Sequence, residues 1–146
     1  MKYKQSVLVK NVSMKSARTA FNNIAFLKHL ITLQPVKIMV WEGTYDGALA
    51  HMRFWFLGWK DFMVQHKNNS ELKNSFSFKD QGTVLPFRLT KWTHSHKVIK
   101  RGENIEILDE IYFDGDKKIL ALMFYPILIA PIFFRKLLYK TYNWHI

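Results

Sequence analysis

The 146-residue chain contains no cysteine. This absence excludes a disulfide framework, thiolate catalysis and zinc sites built from cysteine, and it fits a reducing compartment. The first residues lack the apolar run of a signal peptide, so we expect a cytoplasmic protein. Repeats, linkers and low-complexity stretches are also missing. A chain of this length is typical of a single domain, and we predict that one domain spans residues 1–146.

Acidic residues are missing from both ends of the chain. All eleven lie between Glu42 and Asp116, whereas residues 1–41 carry seven Lys or Arg side chains and the segment from Lys117 onward carries five more. The net charge is +11. Two basic ends of this kind could form a positive face for an anionic membrane surface, or they could simply keep the protein in solution. The sequence contains no recognised nucleic-acid module, so we expect no nucleic-acid partner.

Apolar side chains are abundant by contrast. Hydrophobic residues make up 49% of the chain and aromatic residues 16%, with twelve Phe, six Tyr and five Trp. This composition predicts a folded domain with either a heavily aromatic core or a cavity lined by aromatic side chains.

Periodicity divides the chain into a strand, a helical segment, a run of antiparallel strands and a final helix. Asn22 and Asn23 are weak helix formers, so the helical segment is either one helix or two short helices with a bend, and Pro35 ends it. One sheet with helices near both ends of the chain is an α+β arrangement. The predicted strands are residues 3–11, 36–41, 48–57, 59–66, 71–78, 88–99 and 104–113, with a turn at 67–70 and a loop at 79–85. Alternation predicts the inward apolar residues Met52, Phe54, Phe56, Phe62, Val64, Leu72, Phe76 and Phe78.

Residues 119–134 form an uncharged run, ILALMFYPILIAPIFF, between two pairs of basic residues. The run is shorter than the about 18 to 20 apolar residues of a membrane-spanning helix, and it contains Pro126 and Pro131. We therefore predict a helix that is buried against the sheet, with Pro126 in its first turn. The same apolar run, with the basic ends, supports an alternative function as a peripheral membrane or protein-interaction module.

The most unusual polar residues lie at alternate positions of the predicted hairpin between Arg88 and Phe113. If Ile99 pairs with Asn104, a histidine and a carboxylate lie opposite each other on the inward face, within reach of a hydrogen bond. This register gives the inward pairs Val98–Ile105, His96–Ile107, His94–Asp109 and Trp92–Ile111.

A buried histidine beside a carboxylate has three interpretations. In the first, His94 and Asp109 satisfy each other and clamp the hairpin. In the second, His94, His96 and Trp92 offer polar contacts to a ligand. In the third, His94 is a general base that Asp109 orients, although no matching acid or nucleophile motif accompanies it. His94 and His96 could also bind a metal with Asp109, but nothing else converges there, and we expect neither a metal nor a cofactor.

Several short motifs of the chain match a known superfamily. They are Pro86-Phe87, the Trp-x-His-x-His run from Trp92 to His96, Leu108-Asp109-Glu110 with Tyr112, and Phe134-Arg135. With these motifs and its order of elements, the chain resembles the START-like, or SRPBCC, superfamily of Bet v 1-like helix-grip proteins. It resembles in particular the small bacterial ligand-binding members near polyketide cyclases and coenzyme-Q-binding proteins.

The resemblance implies a helix-grip fold. This fold is a curved antiparallel sheet of six to seven strands around a long C-terminal helix, with one or two short helices after the first strand. It also implies a mostly apolar cavity between the sheet and that helix.

We therefore expect non-enzymatic binding, as a carrier or sensor, of an apolar or amphipathic small molecule or lipid in this cavity. An enzyme similar to polyketide cyclases or dehydratases, using the His94–Asp109 pair, is the alternative that the resemblance adds. Arg135 is either a cation for an acidic ligand or a partner of a sheet carboxylate. The candidate ligand-binding residues are Trp92, His94, His96, Asp109, Ile107, Ile111, Phe54, Phe62, Phe76, Phe78, Phe134 and Arg135.

Overall fold

The strands of this chain form one antiparallel sheet, as the computed structural model of residues 1–145 describes it. The strands of that range are β1 (Lys2–Val9), β2 (Val36–Trp41), β3 (Leu49–Trp55), β4 (Trp59–Leu72), β5 (Ser75–Val84), β6 (Leu89–Arg101) and β7 (Asn104–Gly115). The helices are α1 (Met14–Phe21), α2 (Ile24–Leu30) and α3 (Lys118–Thr141). The order across the sheet is β1-β7-β6-β5-β4-β3-β2. The predicted α+β class, with a long C-terminal helix and short helices after the first strand, is confirmed.

A side-chain cap begins each of the two short helices, and the second cap lies at the break between α1 and α2. Ser13 caps α1 by accepting from the backbone N–H of Ser16 at 3.0 Å. Asn23 caps α2 by accepting from the backbone N–H of Ala25 at 2.8 Å. A side chain that satisfies the free N–H groups of the following turn favours the start of a new helix. Of the two predicted arrangements, the structure has the two short helices, divided at Asn22 and Asn23.

The β6–β7 hairpin closes two residues later than its predicted register. The predicted register pairs Ile99 with Asn104, but in the structure Asn104 pairs with Arg101. The strands therefore leave a two-residue turn, in which Gly102 has a φ of +62°. Glycine adopts this left-handed conformation without the steric cost that a side chain would add.

This register changes the partners of the two histidines. Asp109 lies opposite His96, and His94 lies opposite Ile111, so the predicted cross-strand pair of His94 and Asp109 is wrong. The displacement is an even number of residues, so every side chain keeps its predicted face. His94, His96 and Asp109 all point inward.

The β4–β5 hairpin is longer than predicted. The turn at 67–70 and the loop at 79–85 are both wrong, because β4 continues to Leu72 and β5 to Val84. The β4–β5 ladder has two register shifts, one between Met63 and Val64 and one at the polar residues between Lys67 and Ser70. Leu72 lies at the end of the hairpin and is 65% exposed, so its predicted inward position is wrong. The longer β5 brings Asp80 onto the inward face of the sheet.

The interior contains two apolar clusters. One packs α1, α2 and the end of α3 against strand residues such as Val98 and Ile107, and the other packs most of α3 against Trp92 and Phe113. Buried polar side chains lie between the two clusters. On β6, His94 and His96 separate Trp92 from Val98, and on β7 Asp109 is two residues from Ile107. Helix α3 packs mainly against β1 and β7, so it leaves the inner faces of β3 and β4 partly uncovered.

Helix α3 has one buried face and one exposed apolar face, so its predicted burial is confirmed for one face only. The buried residues are Ala121, Leu128, Ile129, Ile132, Leu138 and Tyr139. The exposed apolar residues are Ile119, Leu122, Met123, Phe133, Phe134 and Leu137. By length and hydropathy α3 could cross a membrane, and only 22% of its most apolar window is buried. Core helices of other proteins also meet this criterion.

Helix α3 also runs through both of its prolines. The helix begins at Lys118, so the predicted position of Pro126 in the first turn is wrong. A proline inside a helix leaves the carbonyl four residues earlier without its usual partner. Pro126 lies on the exposed side, where water can bond that carbonyl.

Leu137 and Leu138 provide a matched test of the orientation of α3. Leu138 is 5% exposed and Leu137 is 58% exposed. Leu138→Ala should lower the free energy of unfolding by about 2 to 5 kcal/mol, because it leaves a cavity in the core. Leu137→Ala should change it by less than about 0.5 kcal/mol. Denaturant unfolding of both variants measures the difference, and equal losses would contradict this orientation.

Candidate functional site

A row of polar side chains crosses the inner face of the sheet from β1 to β4. The members of this polar row are Gln5 on β1, Asp109 on β7, His94 and His96 on β6, Asp80 on β5 and His66 on β4. From one strand to the next, each member is the direct cross-strand partner of a neighbouring member. All of these side chains therefore share one face. Asp80 is 16% exposed at its side chain, and the other members are buried.

Asp109 accepts more hydrogen bonds than any other described member of the row. Its carboxylate accepts from His94 Nε2 at 2.9 Å and from Gln5 Nε2 at 3.0 Å. The Tyr139 hydroxyl of α3 donates to its two oxygens, at 3.0 and 3.2 Å. Gln5 Nε2 also donates to the carbonyl of Ile132 in α3, at 2.7 Å. Asp109 therefore connects β1, β6 and α3 to β7.

Asp80 contacts the histidines from the other end of the row. Its Oδ2 accepts from His96 Nε2 at 2.9 Å and lies 3.8 Å from His94 Nδ1. His66 Nε2 lies 3.1 Å from Oδ1 but outside hydrogen-bond geometry, and His66 Nδ1 contacts the Ala48 carbonyl at 3.1 Å. The rings of His94 and His96, whose centres are 3.7 Å apart, are thus held between two carboxylates.

The two neighbouring histidines differ in charge. Burial, together with the charge of His96, lowers the pKa of His94 to about 4 against the opposing hydrogen bond to Asp109. Burial also opposes the charge of His96, but Asp80 and Asp109 outweigh it and raise the pKa of His96. At pH 6.5, the ordinary pKa of histidine, His94 is therefore neutral while His96 is mostly protonated.

Both carboxylates of the row stay ionised. Burial alone would raise the pKa of Asp109, but its contacts with His94 and His96 hold that pKa well below the usual range. Burial also opposes the charge of Asp80, whose pKa is nevertheless lowered by His96 and His66. A buried carboxylate remains charged only where such partners compensate for lost hydration.

Two residues of α3 complete the surroundings of the row. Burial and the charge of Asp109 raise the pKa of Tyr139 well above its usual range, so Tyr139 is a neutral donor. Burial alone would lower the pKa of Arg135, but Tyr139, Asp109 and Asp80 outweigh it and raise that pKa. Within residues 1–145, Arg135 Nε is buried without a hydrogen-bond partner. Arg135 therefore acts on the row through its charge.

The predicted site residues fall into distinct places. His94, His96 and Asp109 belong to the polar row, and Arg135 lies close to it. The residues buried in the two apolar clusters are Trp92, Phe76, Phe78, Ile107 and Ile111.

The remaining predicted residues lie nearer the surface. Phe54 and Phe62 are half-buried on the inner faces of β3 and β4. Phe134 is 42% exposed on the outer face of α3, so its predicted place in the interior is wrong. The next residue, Arg135, is the one that turns toward the polar row, because successive helix positions differ by about 100°.

Sequence reasoning missed Gln5, His66, Asp80 and Tyr139. Asp80 was assigned to a loop, although extending the alternation of Phe76 and Phe78 by one step would have placed it inward. No sequence pattern marks Gln5, His66 or Tyr139, because each reaches the row only through the way its strand or helix packs against the others.

A group of half-buried aromatic side chains, named the aromatic cleft, lies between β3, β4, the β5–β6 connection and α3. The group consists of the side chains of Phe54, Phe56, Phe62, Phe87 and Phe124. Phe87 stacks on Phe124 of α3 with ring centres 4.1 Å apart. Phe54 and Phe56 pack against Phe87 at 5.7 and 5.5 Å. The stack joins the β5–β6 connection to the helix and gives the cleft a defined wall.

Two surface depressions lie elsewhere. One, of about 420 Å³, lies around Asn23 and Trp41, where the short helices meet β2. The other, of about 580 Å³, lies around Asn11 and Lys100. Members of the polar row and of the aromatic cleft line neither depression.

The polar row offers metal donors. One donor atom from each of Asp80, His94 and His96 lies within 4.8 Å of the other two. Asp80, rather than Asp109, is thus the carboxylate that completes this set. The hydroxyls of Tyr3 and Tyr139 both touch the row, through Gln5 Oε1 at 3.1 Å and Asp109 Oδ2 at 3.0 Å. The raised pKa of Tyr139 makes it a poor nucleophile.

Comparison with known proteins identifies the fold. No protein-family model matches the sequence, and no curated protein matches it. Norcoclaurine synthase from Thalictrum flavum matches with a TM-score of 0.62 at 14% identity, over 95% of this chain and 94% of that chain. Protein Ms6760 from Mycobacterium smegmatis matches with a TM-score of 0.67 at 9% identity, over 95% and 88%.

Major latex-like protein 151 from Panax ginseng also matches, with a TM-score of 0.56 at 14% identity, over 95% of this chain and 97% of that chain. These neighbours are Bet v 1-like proteins. The predicted resemblance is therefore confirmed for the fold, while the subgroup near polyketide cyclases and coenzyme-Q-binding proteins stays a prediction. The chain has the Bet v 1-like helix-grip fold.

Proposed function

We propose that the protein binds an apolar or amphipathic small molecule in the aromatic cleft. The observation that carries this proposal is the half-burial of Phe54 and Phe62, which face the core side of the sheet. Helix α3 packs mainly against β1 and β7, so part of the apolar inner surface of β3 and β4 stays accessible.

An accessible apolar surface inside a fold favours a ligand. Covering it removes apolar area from water, which stabilises by about 25 cal/mol per Å². The walls are already ordered, because Phe87 stacks on Phe124 and Phe62 packs edge-on against Trp92 at 5.3 Å. Because these side chains are already ordered, they lose less conformational entropy when a ligand binds.

Ligand binding by a protein of the same fold supports the proposal. One structure of norcoclaurine synthase, with a TM-score of 0.55 and 16% identity, is a complex with dopamine and hydroxybenzaldehyde. Both ligands are small aromatic molecules. Phenylalanine rings pack favourably against such rings in offset or edge-to-face arrangements, and the aromatic cleft supplies rings in both orientations.

We propose a carrier or sensor rather than an enzyme. His94 and Asp109 are 3% and 1% exposed, and each is bonded within the protein. A general base must reach the proton that it abstracts. The burial of this pair therefore gives no support to the alternative of a cyclase or dehydratase.

Phe54 and Trp55 provide a matched test of the cleft. They are neighbours on β3 and face opposite sides of the sheet, with Trp55 51% exposed. We expect an apolar fluorescent probe, anilinonaphthalene sulfonate, to bind the protein in a fluorescence titration. Phe54→Ala should weaken binding about 5- to 30-fold through lost apolar contact, while Trp55→Ala should change it less than about twofold. Circular dichroism checks that both variants fold, and equal weakening would refute the cleft.

The outer face of α3 favours a second candidate function, docking on an anionic membrane surface. Its exposed apolar residues form two groups, at 119–123 and 133–137. Both groups fall on the same side of the helix, within about 120°, and form one stripe. Lys118, Lys136 and Lys140 flank this stripe on one side and are exposed. Interfacial helices combine an apolar face with flanking lysines, and the net charge of +11 adds attraction to anionic lipid.

Co-sedimentation with vesicles tests this second function. The protein should sediment with vesicles that contain phosphatidylserine, but not with pure phosphatidylcholine, and added salt should weaken binding. Leu122→Asp combined with Phe133→Asp should abolish sedimentation. Leu57→Asp is the control, because Leu57 is 80% exposed in the β3–β4 turn. If the wild type stays in the supernatant at low salt, the membrane function is ruled out.

A further inference from the structure

We propose that Asp80, His94 and His96 form a binding site for one divalent transition-metal ion of the zinc class. Two of these residues are alternate positions on β6, and Asp80 is the cross-strand partner of His94 on β5. The sheet therefore places two imidazoles and a carboxylate around one point. Their donor atoms lie within 4.8 Å of one another.

The distances are close to those of a coordinated ion. Ligand atoms about 2.1 Å from a tetrahedral ion lie about 3.4 Å from each other. Asp80 Oδ2 lies 2.9 Å from His96 Nε2 and 3.8 Å from His94 Nδ1. One of these distances is shorter, and the other longer, than the about 3.4 Å expected between two ligand atoms of a bound ion. All donor atoms of the set lie within 4.8 Å of one another, so movement of the side chains toward the ion would complete the geometry.

Two of the three donors present lone pairs, while the third, His96 Nε2, carries the proton that it donates to Asp80. A bound ion would replace this proton, which would pass to solvent. His94 uses Nε2 to donate to Asp109, so Nδ1 of the neutral ring presents a lone pair toward the carboxylate of Asp80. Within residues 1–145, Asp80 Oδ1 also has no hydrogen-bond partner. Buried acceptors that face each other are unfavourable unless a donor or a cation lies between them. His94 Nδ1 and Asp80 Oδ2 face each other at 3.8 Å, and a metal ion between them would bind both atoms.

The outer contacts match those of metal-bound histidines. A coordinating histidine usually donates its second nitrogen to a carboxylate, which fixes the ring orientation. Asp109 occupies this place for His94, at 2.9 Å from Nε2, and it lies 3.2 Å from His96 Nδ1 but outside hydrogen-bond geometry. Asp109 is held in turn by Gln5 and Tyr139. The polar row thus supplies an inner set of ligands and an outer set of orienting groups.

The donor set selects the kind of ion. Two imidazoles and one carboxylate suit zinc and its neighbours better than calcium or magnesium, which prefer oxygen ligands. The Asp80 side chain is 16% exposed, against 3% and 5% for His94 and His96. An ion would therefore enter from the side of Asp80.

The experiment uses the whole chain, stripped with a chelator and titrated with Co²⁺ and then with Zn²⁺. We expect one Co²⁺ per chain, with the visible absorption of a low-coordinate site, and displacement by Zn²⁺. Asp80→Asn and His96→Gln should each weaken binding by more than about 100-fold. Asp109→Asn should weaken it by about 10- to 100-fold, the usual effect of losing an orienting group.

His51→Gln is the matched control, because His51 forms a half-exposed pair with Asp61 at 2.8 Å. This variant should keep wild-type affinity. If the row variants unfold, the wild-type cobalt spectrum and a rise of Tm with Zn²⁺ decide the question alone. The proposal is overturned if the wild type binds no Co²⁺ with 1:1 stoichiometry, or if a folded Asp80→Asn variant binds as tightly as the wild type.

Discussion

The fold depends on the buried carboxylate of Asp109. A charge that is 1% exposed is tolerated only when neighbouring groups replace the water that it lost. Those groups come from three other elements, namely Gln5 on β1, His94 on β6 and Tyr139 on α3. Each element must take up one position relative to β7 for these bonds to form. The side chain of Asp109 therefore fixes both the position of β1 beside β7 and the position of α3 against the sheet.

This anchoring shapes the rest of the interior. Tyr139 lies near the end of α3, so the helix is held most firmly there, against the cluster that includes Val98 and Ile107. Nearer its start, the helix meets the sheet through the Phe87–Phe124 stack, and the inner faces of β3 and β4 remain partly open. The polar row thus separates a closed half of the core from the half that contains the aromatic cleft. In our proposals, the cleft takes the small molecule and the row takes the metal ion.

The sequence was sufficient for the fold but only for part of the site. Periodicity predicted the sheet, the helical segment after the first strand and the inward face of His94, His96 and Asp109, because side-chain alternation survives a register error of two residues. It could not predict that β6 and β7 extend to a two-residue turn, since polar residues there fit a strand or a loop equally well. Asp80 was missed for the same reason. Tyr139 was missed because helix packing, not local pattern, brings it to Asp109.

The central claim is that the polar row holds a neutral His94 beside a charged His96. Nitrogen-15 NMR of the histidine rings across pH, with a chelator present, measures both charges directly. His94 should stay neutral as the pH falls from 6.5 to about 4, while His96 should keep its proton above pH 6.5. Folding stability should accordingly lose the contribution of His94 as pH falls through that window, and lose the contribution of His96 as pH rises through its raised pKa. Two rings that titrate together near pH 6.5 would contradict this account.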